Sequence, residues 1–198
     1  MEYFFYCRDR PGSMALREEL IEEHWSFMDR YADAMIARGP TLTADASAAT
    51  GSVHIVDLPD ADAAHVFAFE EPNYRAGVYG EVLVRRWRNL LGRTMWDFAG
   101  EADGDHRFLI LGHGKPGMTA ACDEYLPYLA AGGFGDRLIA CGPLLSDDGS
   151  EWAGTAMLAE LPGRAFADAI LAHDPYARAG RYDGIEVHSW QFGGRPPN

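Results

Sequence analysis

The chain has 198 residues, 47% of them hydrophobic and 12% aromatic, which supports one medium domain or two small ones and excludes a disordered chain. Seventeen basic against thirty acidic residues leave a net charge of -13, which argues against nucleic acid or an anionic membrane surface as a partner. Three cysteines, Cys7, Cys122 and Cys141, with no C-x-x-C, do not make a disulfide framework and point to a reducing compartment. The opening residues, MEYFFYCRDRPG, lack a basic region followed by a long apolar run, and no stretch is apolar long enough to span a bilayer. A cytoplasmic location follows as the expectation.

In chain order, YFFYC at 3–7 reads as a strand and is followed by a Pro-Gly turn. Leu16, Leu20, His24, Phe27, Met28, Tyr31 and Met35 then recur at helical spacing and predict one helix over about 14–37, stopped at Gly39-Pro40. A short strand is expected near Thr41-Leu42. GSVHIVDL at 51–58 reads as a strand, PDADAAHVFAF at 59–69 as a helix with proline near its first turn, and EVLVRRW at 81–87 as a half-buried strand. The order is then repeated: RFLILG at 107–112, a GHGKPG turn at 112–117, a helix at about 119–131, strands at Leu138–Cys141 and 154–161, a helix at 162–171 and a strand at 185–190.

The repeat is visible in the residues themselves. Shifted by 103 positions, residues 39–87 match 142–190 at 16 of 49 places, against about three expected from ordinary residue frequencies. Gly39-Pro40 falls on Gly142-Pro143, Asp45 on Asp148, Leu58-Pro59 on Leu161-Pro162, Arg75-Ala76-Gly77 on Arg178-Ala179-Gly180 and Trp87 on Trp190. The acidic, glycine-containing AGEADGD at 99–105 reads as a linker between a domain at 1–98 and a second at 106–198. The predicted class is α+β: two tandem ferredoxin-like β-α-β-β-α-β modules, packed as a pseudo-dimeric α+β barrel so that each antiparallel sheet has its open face covered.

These residues resemble the YCII (YciI-like) family. The resemblance rests on the N-terminal strand, His24, Gly39-Pro40 followed by Asp45, Gly51-Ser52, Glu71-Pro72-Asn73-Tyr74-Arg75-Ala76-Gly77 and the strand ending in Trp87. In the second copy it rests on Gly142-Pro143, Asp148, Gly154-Thr155 and Asp174-Pro175-Tyr176-Ala177-Arg178-Ala179-Gly180. It covers nearly the whole chain. It implies a dimeric α+β barrel and a His-Asp pair, His24 with Asp45, in a pocket between the first helix and the sheet. A dehydrochlorinase acting on a chlorinated hydroxyquinol belongs to this family, and muconolactone isomerases share the architecture.

His24 and Asp45 are accordingly the candidate catalytic pair. Histidine suits proton transfer near neutral pH, and a carboxylate on one ring nitrogen fixes the tautomer and stabilises the imidazolium. The opposing reading makes His24 a hydrogen-bonded core residue and Asp45 a turn-closing one. The second copy has no histidine between His113 and His173; Tyr125 stands near the matching place, which suggests one competent site and one degenerate one. Arg75, Tyr74 and Tyr31 are candidate substrate-binding residues, Arg75 through a bidentate contact to an anion. The acid before proline in each copy, Glu71 and Asp174, reads as a turn or helix end.

No histidine or cysteine pair has metal-ligand spacing, no glycine-rich nucleotide motif is present, and no metal or cofactor is expected. The expected function is a cofactor-free lyase, isomerase or hydrolase acting on a small cyclic or aromatic molecule. The alternative is a non-catalytic module that binds such a ligand. A haem or quinone monooxygenase lacks a marked proximal ligand. The expected partner is a small molecule, with the chain acting as a monomer holding an internal pseudo-dimer or as a homodimer.

Overall fold

In the computed structural model, residues 1–100, 106–119 and 125–195 are described. Most of the expected linker, Cys122 and the start of the second copy's first helix lie outside them. The chain forms two compact units, residues 1–85 together with the C-terminal segment from 191, and residues 86–190. Both are α+β with antiparallel sheet.

The first unit contains β1 (Glu2–Asp9), α1 (Met14–Glu19), α2 (Ile21–Asp29), β2 (Met35–Leu42), β3 (Ala49–Asp57), α3 (Ala61–Phe69), α4 (Pro72–Arg75) and most of β4 (Tyr79–Trp87). Strand β3 lies between β1 and β2, with Phe5 opposite His54, Cys7 opposite Ser52 and Leu42 opposite Ala49. Side chains alternate across a strand, so Tyr3, Phe5 and Cys7 share one face with Ser52, His54 and Val56. That face receives the helices: Tyr3, Phe5 and Val56 pack with Phe27 and Met28 of α2 and Ala64, Phe67 and Ala68 of α3. The Phe5 and Phe67 rings are 4.6 Å apart. Each such buried aromatic or aliphatic side chain stabilises the unit by about 1.5–3 kcal/mol relative to an exposed one.

The second unit contains β5 (His106–Thr119), α5 (Tyr125–Ala131), β6 (Leu138–Leu145), β7 (Glu151–Leu161), α6 (Arg164–His173), α7 (Pro175–Arg178) and β8 (Tyr182–Trp190). Its strand order is β8-β5-β7-β6, and the last two residues of β4, Arg86 and Trp87, pair with Leu145 and Leu144 of β6.

Two sequence expectations are corrected. The single helix over 14–37 is two short helices meeting at Leu20 and ending at Asp29, and β2 begins at Met35. Gly39-Pro40 is not the helix stop but the middle of that strand, opposite Val53 and Ser52. The buried run Met35-Ile36-Ala37 continues the helical spacing by coincidence, and pairing with β3 decides its conformation. Likewise GHGKPG is part of β5, which carries a bulge between His113 and Met118 and resumes pairing with Trp152. Among the described residues no helix is long and apolar enough to cross a membrane.

Candidate functional site

The helix-facing side of the first sheet is not filled everywhere. A cavity of about 460 Å³ lies between α1, α2, β2 and β3, within the range of small-molecule sites. Met14, Ile21, Trp25, Met28, Pro40 and Leu42 give it apolar walls, and Arg17, His24, Arg38, Ser52 and His54 supply the polar groups.

His24 is buried on the sheet-facing side of α2, as its spacing predicts. Its partner is not Asp45. His24 Nδ1 lies 2.5 Å from Glu71 Oε1, with both side chains nearly inaccessible. Glu71 caps α4, where Pro72 occupies the first turn, and its second oxygen accepts the Tyr74 N–H at 2.9 Å. One buried carboxylate thus anchors a helix and takes the imidazole. An ionised carboxylate only accepts, so Nδ1 donates and Nε2 is the ring nitrogen left to serve the cavity.

Around this pair runs a connected polar set. Arg17 is buried, donating to Asp9 Oδ1 at 2.9 Å and to Ser52 Oγ at 2.7 Å. Asn73 donates to the Tyr79 hydroxyl at 3.2 Å, which donates to Ser52 Oγ at 3.3 Å. Ser52 therefore accepts twice and offers its own hydroxyl proton as a donor. Burial raises the Asp9 carboxyl, opposed by the Arg17 guanidinium. Burial, reinforced by the Glu71 carboxylate, holds the Cys7 thiol and Tyr79 hydroxyl protonated, so Cys7 is no nucleophile.

His54, its ring 5.7 Å from that of His24, is also fully buried. Burial first, then the neighbouring His24, Arg17 and Arg38, hold its value well below the ordinary 6.5. The unfolded chain takes up a proton there that the folded chain refuses, so this group lowers stability as pH falls below about 6.5, by about 1.4 kcal/mol per unit until the folded value is reached. Urea unfolding at pH 7 and pH 5 should therefore show a smaller acid-induced loss in His54→Leu than in the wild type. Equal losses would contradict the assignment.

Asp45 sits outside the site. Its carboxylate accepts from Thr43 Oγ1 at 2.6 Å, from Ser47 Oγ at 2.7 Å and from the Ser47 N–H at 3.2 Å, closing the exposed turn between β2 and β3; these bonds hold its acidity at about 2. Asp148 does the same in the second unit with Ser146 and Ser150. The repeated aspartate is a repeated turn. The other candidates are also displaced from the cavity. Arg75 is exposed and pairs with Glu70 at 3.3 Å; it and Tyr74 line a separate depression with Arg10 and Gly80. Tyr31 packs edge-on against Phe67 at 4.9 Å, as part of the core. Sequence reasoning missed Glu71, and the available signal was the acid-proline step recurring as Asp174-Pro175.

Among the described residues, the second unit carries larger side chains where the first unit lines its cavity with small ones. Asp174 caps α7 through the Tyr176 and Ala177 N–H groups, and its other oxygen accepts the Tyr125 hydroxyl at 2.5 Å where the first unit has histidine. Tyr182 donates to Thr155 at 3.1 Å, as Tyr79 does to Ser52. Trp152, paired with Leu145, stands where Ala49, paired with Leu42, lines the cavity of the first unit. Tyr176 replaces Asn73. Leu90 and Leu91, which pack on this core, correspond to Gly193 and Gly194. The indole of Trp152 is buried 4.8 Å from the Tyr176 ring. The open and the filled unit thus differ by small residues against large ones at matching positions.

Among solved structures, the chain is 29% identical to 5-chloro-2-hydroxyhydroquinone dehydrochlorinase (TftG) from Burkholderia phenoliruptrix, over 47% of this chain and 99% of that one, with a TM-score of 0.44. Over nearly its whole length it is similar in fold to an anthrone oxidase-like protein (TM-score 0.55, 12% identity, 97% of this chain and 90% of that one). It is similar in the same way to a mutant chlorite dismutase from Candidatus Nitrospira defluvii (TM-score 0.57, 8% identity, 96% and 91%). The fold is thus α+β with antiparallel sheet, similar to that of dimeric α+β barrel proteins. No match was found among curated proteins. The sequence profile of the YCII-related domain matches residues 1–88 and again residues 107–191. The chain belongs to the YCII-related domain family, as a tandem of two such domains.

Proposed function

We propose that the first unit carries out general acid–base chemistry on a small cyclic or aromatic molecule bearing an acidic or anionic group. His24 is the proton-transferring residue, and Glu71, rather than Asp45, is the carboxylate that orients it. The observation that carries this reading is the buried His24–Glu71 contact at the wall of a cavity large enough for a one-ring ligand. The cavity's cations have their counter-charges behind them, Arg17 with Asp9 and Arg38 with Asp29, so a ligand anion meets donors already oriented. Trp25 and the apolar walls suit a ring face.

In the proposed step His24 Nε2 takes a proton from a ring carbon or hydroxyl, and Glu71 stabilises the resulting imidazolium. Returning that proton elsewhere on the molecule gives an isomerase. Departure of a neighbouring leaving group with its electron pair gives a lyase. Taking the proton from water instead gives a hydrolase: the hydroxide adds to an electrophilic carbon, and the leaving group departs with its electron pair and takes up the proton from His24. The reading of each unit as a ferredoxin-like module is supported by the β-α-β-β-α-β order and by the strand order of the second unit.

The test is a turnover screen with small phenols, hydroxyquinols, lactones and keto acids on wild type and His24→Gln. A substrate should be found for which kcat/KM falls at least a hundredfold in His24→Gln, with the melting temperature largely kept. Undiminished turnover in that variant, or a ligand always recovered unchanged, would overturn the catalytic role.

A further inference from the structure

One wall of the cavity is neither helix nor sheet. After β8 the chain returns to the first unit, and Gln191, Phe192, Gly193 and Gly194 line the cavity. This strap is built, not draped. The Gln191 N–H donates to the Pro40 carbonyl at 3.2 Å and the Gly193 N–H to the Arg38 carbonyl at 3.0 Å, so it runs beside β2. Glycine is needed for that approach. A Cβ at Gly193 would lie 2.7 Å from Gly39 Cα, and one at Gly194, where φ is +118°, would lie 2.5 Å from the Arg38 guanidinium. Beyond the glycines Arg195 reaches α2, donating to Glu22 Oε2 at 2.6 Å and Asp29 Oδ2 at 3.4 Å, with its guanidinium 5.5 Å from the Trp25 ring.

The second unit shows what this position can do. There Arg88 and Leu90 donate to the Pro143 and Cys141 carbonyls, the matching bonds, but Asn89-Leu90-Leu91 stands in place of Phe192-Gly193-Gly194 and the leucines pack on the core. In the first unit the glycines keep the space clear, and Phe192 is the one aromatic side chain the strap brings to the cavity.

We propose that residues 191–195 form a releasable strap over this cavity, with Phe192 as a specificity-determining residue for a ring ligand and Arg195 as the latch to α2. This rests on the cavity being the ligand site named above. The strap's described polar bonds are two backbone hydrogen bonds and the exposed contacts of Arg195 with Glu22, Ser26 and Asp29, so it opens more readily than the sheet beside it. Residues 192–195 lie beyond the second family match, which ends at 191.

Amide hydrogen exchange tests the strap without any ligand. The Gln191 and Gly193 amides should be protected in the wild type and exchange at least tenfold faster in Arg195→Ala, with β3 amides unchanged. Equal exchange in the two proteins overturns the latch. Titration with para-nitrophenol, followed by its absorbance, tests specificity. Phe192→Ala should raise Kd at least tenfold and Phe192→Leu should recover part of it. An unchanged Kd in Phe192→Ala overturns the role of Phe192. A wild type that does not bind para-nitrophenol overturns the ligand class proposed above, and the exchange result still decides the strap.

Discussion

Glu71→Gln should remove the proposed catalysis and Asp45→Ala should not. With the carboxylate gone, the imidazolium at His24 loses the anion at its Nδ1, and an amide in its place fixes the ring less strictly. Turnover of any substrate found for the wild type should fall at least a hundredfold in Glu71→Gln. The fold should survive, because the glutamine oxygen can still cap α4 through the Tyr74 N–H, at a cost of about 1–2 kcal/mol for the weakened buried hydrogen bonds. Glu71→Ala is more severe: it leaves a buried imidazole unpaired and a helix uncapped, with an expected loss of about 3–5 kcal/mol. Asp45→Ala only loosens an exposed turn. Kinetics on the three variants, with urea melts alongside, check the set; a collapse of activity in Asp45→Ala with the fold intact would restore the aspartate to the site.

Trp152→Ala carries an equally large expected effect on stability. The indole fills the space that stays open beside Ala49 in the first unit, and truncating it leaves a cavity in a packed core. The expected loss is about 3–5 kcal/mol, or roughly 6–20 °C in melting temperature for a chain of this size. A buried apolar cavity of this kind binds small aromatics, so added indole should raise the melting temperature of Trp152→Ala by more than it raises that of the wild type. The reciprocal change, Ala49→Trp, should fill the first cavity and abolish ligand binding there while the His24–Glu71 pair remains. Little loss in Trp152→Ala, or unchanged ligand binding in Ala49→Trp, would contradict the account of the two units as one site open and one filled.

Much of the architecture is legible in the sequence because local pattern and tertiary packing agree there. β3, α3, β7, α6 and β8 fall where alternation, helical spacing and the proline starts place them, within a few residues. The repeat announces the duplication, and His24 is recognised because it lies on an apolar helix face. The misreadings share a cause: they lie where pairing with a distant strand decides the outcome. Met35 to Ala37 continues the helical spacing yet is held by β3, and GHGKPG carries a turn composition yet lies in a bulged strand paired with β7 and β8. Asp45 draws attention because it recurs, but what recurs is a turn. Glu71 escapes notice because an acid before proline has an obvious local role as a helix cap, and its second oxygen serves a residue 47 positions away. The small-for-large exchanges that open one cavity become visible only once the register equates Ala49 with Trp152.

The most direct test of the central claim is the imidazole nitrogen and ring N–H spectrum of His24 by NMR, in wild type, Glu71→Gln and Asp45→Ala. A proton on Nδ1 shared with a carboxylate at 2.5 Å should resonate far downfield, persist unchanged in Asp45→Ala and vanish or move strongly upfield in Glu71→Gln. A signal that survives in Glu71→Gln and is lost in Asp45→Ala would contradict the pairing on which the site is built.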